Sequence, residues 1–197
     1  MADNELIGYS TKINDPAFAR YIKSSNNYAA YFSLGLAVIA VIGFVIAGET
    51  SDKLKNPEAF FYGLAIGGMF VVIALFQIMG RKRSKTWDGM VIDKKVVKKS
   101  LKRNTGDDDY VKEKYLEYQV VIKSDTGKKH TIKVTNDDTL YNYYKTSDKV
   151  RHHKGVNTFE KYDKSGDTII FCNACSSLNP IENDICFRCK CPLLKGK

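Results

Sequence analysis

Two stretches of this chain carry no charged residue over a length sufficient to cross a bilayer: Tyr28–Gly48 (YAAYFSLGLAVIAVIGFVIAG), of 21 residues, and Ala59–Gly80 (AFFYGLAIGGMFVVIALFQIMG), of 22. A helix rises about 1.5 Å per residue against a hydrocarbon core of about 30 Å, so each run is long enough to span it. As core helices of a soluble protein they would need a large body around them, and a chain of 197 residues has little left to build one. The residues ahead of the first run include Asp3, Glu5 and Asp15, and the run is longer than the apolar part of a cleaved leader, so it is expected to stay in the mature protein. Only Glu49–Glu58 joins the two runs, which suits a tight antiparallel connection. The expected organisation is an N-terminal segment (1–27), a two-helix transmembrane hairpin (28–80), a basic juxtamembrane segment with a small β-domain (81–168), and a C-terminal metal-binding tail (169–197).

Charge sets the orientation. The formal net charge is +9, and residues 81–103 (RKRSKTWDGMVIDKKVVKKSLKR) hold ten basic side chains against two acidic ones. Arg81, Lys82, Arg83 and Lys85 follow the second run directly, and Arg20 and Lys23 precede the first, whereas Lys53 and Lys55 in the connection are balanced by acidic neighbours. The positive-inside rule therefore predicts a multi-pass protein of the cell membrane with both termini in the cytosol. The same cluster, with Lys94, Lys95, Lys98 and Lys99, is expected to attract anionic lipid headgroups at roughly 1 kcal/mol for each side chain near the surface. Its confinement to one membrane-proximal segment argues against nucleic acid as the partner.

Asp15-Pro16 ahead of AFARYIK reads as an N-cap followed by proline at the first helical position, the start of a short interfacial helix. Gly63-x-x-x-Gly67 gives the second run a face on which another backbone can come close, with Gly35 and Gly43 offering the same in the first. Such faces serve hairpin packing or a homodimer. Neither run contains Asp, Glu, Lys, Arg or His, the groups that ion and proton pathways need, so the hairpin reads as an anchor.

Beyond Thr86 the pattern shifts to short runs rich in Val, Ile, Tyr and Thr. Strands are expected at Trp87–Lys98, Tyr110–Lys123, Lys129–Thr135, Lys149–His153, Thr158–Tyr162 and Thr168–Phe171, with a hairpin turn at Asp125-Thr126-Gly127. Alternation places Tyr118, Val120 and Ile122 with Ile132 and Val134 on one core face. The fold class is thus a membrane α-helical hairpin with a small all-β barrel, OB- or SH3-like, and a zinc ribbon. A membrane anchor followed by a small barrel is similar in layout to the NfeD-like proteins, whose soluble part is an OB-fold; the resemblance implies an interaction module. Trp87-Asp88-Gly89-Met90-Val91 and SDKVRHHKGVNTFEKYDKSGD also resemble stretches of bacterial membrane proteins that carry a zinc ribbon.

The tail supplies Cys172-Asn-Ala-Cys175 and, ten residues later, Cys186-Phe-Arg-Cys189. Each C-x2-C turn presents two thiolates at a separation that suits one corner pair of a tetrahedron, and the short loop lets the two turns face each other around a single structural Zn(2+). The spacing, with the final Cys191-Pro192-Leu193, resembles the short zinc-ribbon family at the ends of many bacterial and archaeal membrane proteins. That resemblance assigns Cys172, Cys175, Cys186 and Cys189 as ligands and leaves Cys191 a free thiol. The family's glycine after each second cysteine is here Ser176 and Lys190, which implies strained knuckles. Disulfides suit an oxidising compartment, and a thioredoxin-like CxxC needs a βαβ setting that the pattern lacks.

The remaining chemistry-bearing residues read as surface. His152-His153 point to opposite faces of a strand and are expected to be exposed, as is His130. Asp107-Asp108-Asp109 reads as a solvated loop, Glu160 and Asp163 with Lys161 and Lys164 as a surface salt-bridge patch, and Tyr141, Tyr143 and Tyr144 as aromatics packed on the β-core. No nucleophile-elbow, zincin, phosphate-loop or dinucleotide motif occurs. The sequence therefore describes a non-enzymatic, membrane-anchored binding or adaptor module with a protein partner; a tethered nucleic-acid binder and a thiol-redox protein are the alternatives.

Overall fold

The computed structural model describes residues 6–51, 54–104, 110–156 and 158–196; Asp107-Asp108-Asp109 and Lys53 lie outside them. Its contacts divide the chain into two units, one of residues 15–84 with 154–156 and one of the described residues before 15, 85–153 and beyond 157.

The first unit is a pair of helices, α1 (Pro16–Thr50) and α2 (Glu58–Arg83). Asp15 caps α1 by accepting a hydrogen bond from the N–H of Ala17 at 2.7 Å, with Pro16 in the first turn. The sequence suggests a short interfacial helix separate from the first span, but α1 runs on without a break. Once the capped turn at Asp15 has formed, each further residue adds one hydrogen bond, and Ser24-Ser25-Asn26-Asn27 contains no proline or glycine to stop it. Both helices are long and apolar enough to cross a membrane, and only 6% of the most apolar window of α1 and 22% of that of α2 is buried. A soluble core helix would bury most of that surface.

The helices meet at small residues. Gly63 and Gly67 are buried, and a Cβ added to Gly63 would lie 2.9 Å from Val41 Cα, one added to Gly67 3.0 Å from the Ala37 carbonyl oxygen. Gly35 and Gly43, offered by the sequence for the same purpose, face open space. They sit on the side of α1 turned away from α2.

In the second unit, β1 (Trp87–Asn104), β2 (Tyr110–Ser124), β3 (Lys129–Thr135), β4 (Lys149–His152) and β5 (Phe159–Lys161) form one antiparallel sheet in the order β3-β2-β1-β4-β5. The β2–β3 turn is closed by Ser124 and Lys128, with Gly127 at φ +85 as the turn requires. Tyr118 stands opposite Val134 and Val120 opposite Ile132, which puts the alternating apolar residues on one face as the sequence requires. Val91, Val120, Ile122 and Val150 are fully buried there, and the one-turn helix α3 (Thr139–Tyr143) adds Tyr143, followed by Tyr144, whose hydroxyl donates to the Phe159 carbonyl at 2.8 Å. A β3–β5 ladder that would close a barrel is not among the pairings of the described residues.

Two short strands, β6 (Ile169–Phe171) and β7 (Leu178–Pro180), pair antiparallel and carry the cysteine tail. The sequence divides the tail from the β-domain at residue 168. The contacts join them, because Phe171 packs edge-on against Tyr143, at 5.1 Å between ring centroids, and Thr158 Oγ1 donates to the Asn173 carbonyl. The segment before α1 joins the same unit: Ile7 bridges to Asp163, Gly8 N donates to the Tyr162 carbonyl at 2.8 Å, and Lys164 N donates to the Leu6 carbonyl at 3.0 Å.

Candidate metal centre

Cys172, Cys175, Cys186 and Cys189 converge so that all four Sγ atoms lie within 4.8 Å of one another. Cys172 and Cys189 are 3.5 Å apart and Cys175 and Cys186 3.6 Å. Those separations are too long for a disulfide at about 2.05 Å and near the roughly 3.8 Å edge of a tetrahedron with metal–sulfur bonds of about 2.3 Å. The arrangement can bind a metal ion.

The two knuckles repeat one backbone pattern. Cys172 N donates to Ser177 O and Ser176 N to Cys172 O; Cys186 N donates to Cys191 O and Lys190 N to Cys186 O, all between 2.8 and 3.1 Å. Each turn ends on a residue at φ +60, Ser176 in one and Lys190 in the other. This is the left-handed conformation that the absent glycines would adopt without strain, at a cost of roughly 1–2 kcal/mol for an ordinary side chain. Cys172 and Cys186 are buried, and Cys191 is buried outside the four-sulfur cluster and in no disulfide.

Electrostatics favour a cation at this point. Burial pushes the Cys172 thiol up to about 12 and raises Cys189 further. Burial also opposes ionisation of Cys186, but the N–H groups of Cys189 and Arg188 aimed at its sulfur bring it down to about 7. Two unit charges 3.5 Å apart repel by roughly 4–5 kcal/mol at an effective dielectric of about 20, so four thiolates here need a dication among them. Asn179, fully buried, links the ends of the site: its Nδ2 donates to Ser177 O at 2.8 Å and lies 3.7 Å from Cys186 Sγ, and its Oδ1 accepts from Phe187 N. Sequence reasoning missed Asn179. A single asparagine between the two cysteine pairs carries no spacing signal.

The residues of the basic cluster are divided between the two units. Arg81 belongs to α2 and donates through Nη1 to Ser25 Oγ at 2.8 Å and Asn26 Oδ1 at 3.2 Å on α1; Lys82, Arg83 and Lys85 are exposed. On β1, Lys95 pairs with Asp93 at 2.9 Å and Lys99 with Glu117 at 2.8 Å; Lys94 lies over the Tyr141 ring at 4.0 Å, and Lys98 and Lys99 line one groove with Lys114.

Glu160, Lys161 and Lys164 are buried rather than at the surface, which corrects the surface salt-bridge reading for them; Asp163 is exposed, as that reading expects. The Glu160 carboxylate is fully buried, 2.6 Å from His153 Nε2 and 3.3 Å from Lys164 Nζ, and accepts from Ser10 N at 2.7 Å. Lys164 Nζ donates also to the Gly8 carbonyl. Lys161, 3% exposed, reaches both carboxylate oxygens of Asp167 and the Tyr143 carbonyl. Glu160 and Lys164 are met by the segment before α1, a partner some 150 residues away that a local reading does not reveal. His153 is buried as well, its Nε2 2.6 Å from Glu160, rather than exposed as expected, while His130 and His152 stack on Trp87 at 4.4 and 5.4 Å.

No family model, curated protein or solved structure matches the chain.

Proposed function

We propose that this is a membrane-anchored, non-enzymatic binding module in which an α1–α2 hairpin holds a β-domain and a one-zinc ribbon at the cytosolic face of the cell membrane, for recognition of a protein partner. The observation that carries this reading is where the chemistry-bearing side chains are spent. The four thiolates converge on one point, leaving a metal no open position for water or substrate, and Glu160, His153, Lys161 and Lys164 are buried against one another and against backbone. What remains exposed is a surface for binding.

Four soft donors in a tetrahedron suit zinc, with an iron–sulfur centre the other occupant of such a set. Zinc would hold the two knuckles together and supply folding free energy to a segment too small to fold on its own core. The sheet reads as a small barrel of the OB or SH3 type, since residues of both edge strands, His130 of β3 and Phe159 of β5, meet on the Trp87 ring. The hairpin topology draws support from the first segment: Leu6, Gly8 and Ser10, before α1, share hydrogen bonds with residues 160–164, after α2. Chains on opposite sides of a bilayer cannot do so, and two crossings return the chain to its starting side. Arg81, Lys82, Arg83 and Lys85 then mark that side as cytosolic and meet anionic headgroups.

Metal analysis of the purified full chain tests the ribbon. One zinc per chain is expected, lost in Cys172→Ser and in Cys189→Ser and kept in Cys191→Ser. A metal-free protein with intramolecular disulfides would favour thiol-redox chemistry instead. Affinity capture from membranes, comparing the wild type with Cys172→Ser, then asks whether the partner binds through the ribbon.

A further inference from the structure

The packing of the two helices leaves a groove at the basic end of the hairpin. At Gly63 and Gly67 the backbones approach closely. Toward the α1 N-terminus the facing residues are bulky, with Phe32 and Leu36 on α1 and Phe70 and Ile73 on α2, and the helices enclose an open groove of about 380 Å³ lined by these side chains. That volume lies within the range of about 300–1,000 Å³ typical of ligand sites.

The groove is mainly apolar along its length, the Ser33 hydroxyl within it donating to the Ala30 carbonyl at 2.9 Å, and its one charged group lies at one end. Ser25, Gln77 and Arg81 line that end, and the Arg81 guanidinium is held there by its hydrogen bonds to Ser25 Oγ and Asn26 Oδ1. An arginine so fixed presents its remaining N–H donors in a planar fork that matches a phosphate. From Ser25 to Leu36 on α1, and from Arg81 back to Phe70 on α2, the ends of the lining are 11 residue steps of helix apart, or about 16 Å at 1.5 Å per residue. One leaflet of a hydrocarbon core of about 30 Å is about 15 Å deep. The groove thus has the length of one leaflet, a cation at headgroup depth and hydrocarbon below it.

We propose that this groove is a binding site for a single anionic phospholipid, its phosphate on Arg81 with Gln77 and Ser25 and one acyl chain between Phe32 and Leu36 of α1 and Phe70 and Ile73 of α2. The inference rests on the membrane-hairpin reading above. Anionic lipids are favoured over zwitterionic ones because a headgroup amine competes with Arg81 for the same phosphate.

The test takes the full chain through two steps. Carbonate washing of membranes comes first: release of the protein would overturn the hairpin reading itself, whereas retention leaves the groove to be judged on its own. The detergent-solubilised chain is then offered phosphatidylglycerol and phosphatidylcholine of matched acyl length, and bound lipids are counted by native mass spectrometry. One phosphatidylglycerol per chain is expected, preferred over phosphatidylcholine by about fivefold or more, the ratio that roughly 1 kcal/mol per basic side chain yields. Arg81→Gln should bring the preference to within about twofold, and Lys128→Ala, an exposed lysine of the β2–β3 turn, should leave it intact. Ala29→Trp, which fills the groove below an unaltered arginine, should lower retention of both lipids. Equal binding of the two lipids by the wild type, an unchanged preference in Arg81→Gln, or undiminished retention in Ala29→Trp would each overturn the site; so would a dimer that excludes lipid.

Discussion

Replacing Glu160 with alanine removes the acceptor on which three elements of the sheet unit converge. The carboxylate accepts from Ser10 N at 2.7 Å and meets His153 Nε2 at 2.6 Å and Lys164 Nζ at 3.3 Å, with its side chain fully buried. Hydrogen bonds to charged groups are worth roughly 1.5–3 kcal/mol each, so the two short contacts alone represent roughly 3–6 kcal/mol. Breaking a buried ion pair by removing one member costs about 3–5 kcal/mol, because the ammonium of Lys164 stays behind with only the Gly8 carbonyl. The expected loss is therefore about 3–5 kcal/mol, a large share of the roughly 5–15 kcal/mol that holds a domain together. Trp87, the only tryptophan, is stacked between His130 and His152 within the sheet and reports its unfolding by fluorescence in a urea titration of the detergent-solubilised full chain. Combining Glu160→Ala with Lys164→Met should recover part of the loss, since no unpaired ammonium then remains. A destabilisation below about 1 kcal/mol would refute the buried network, that being the range of exposed ion pairs.

Gly63→Leu should separate α1 from α2, because its side chain would begin 2.9 Å from the Val41 backbone; a lower midpoint for loss of helical circular dichroism in detergent checks this, and Gly35→Leu, which faces open space, should leave the midpoint unchanged. Acid should weaken the sheet unit in part through Asp88, whose carboxyl is held below the usual carboxylate range by hydrogen bonds from Arg151 at 2.6 and 2.8 Å. A folded-state value below the unfolded one means stabilisation that is full above about pH 4 and is lost as pH falls through the folded value; Asp88→Asn should flatten that limb of the Trp87-monitored stability profile. Lys164 acts in the same direction, at the alkaline end. Burial, outweighing the pull of Glu160, lowers its value, so the folded state releases this proton first and stability rises from the folded value toward about pH 10. Lys164→Met should remove that alkaline rise.

The elements legible in the sequence are those set by short-range chemistry. Uncharged runs marked α1 and α2, alternation marked β2 and β3 nearly to the residue and the start of β1, which runs six residues past the expected end at Lys98, and C-x2-C spacing marked the four sulfurs that meet. Ser176 and Lys190 take the left-handed conformation that their place in the knuckles demands. What escaped local reading depends on partners distant in sequence. Glu160, Lys161, Lys164 and His153 have the composition of a solvated surface, yet all four are buried, and residues 8–10, from before α1, hydrogen-bond to Glu160 and Lys164. The strand β7 was not visible because Leu178–Pro180 is three residues long and pairs only where the metal knuckles bring β6 beside it. Arg81 reads in sequence as one of a basic row, yet its hydrogen bonds to α1 set it apart from Lys82 and Arg83.

The central claim is that the chain crosses the membrane twice and presents its β-domain to the cytosol. Membrane-impermeant maleimide applied to intact cells tests it directly, using a cysteine introduced at the end of α1 (Ser51→Cys) and another in the β2–β3 turn (Thr126→Cys), both outside the metal centre. The Ser51→Cys variant should react in intact cells, and the Thr126→Cys variant only after the membrane is opened. Reaction of Thr126→Cys in intact cells, with Ser51→Cys protected, would contradict the account.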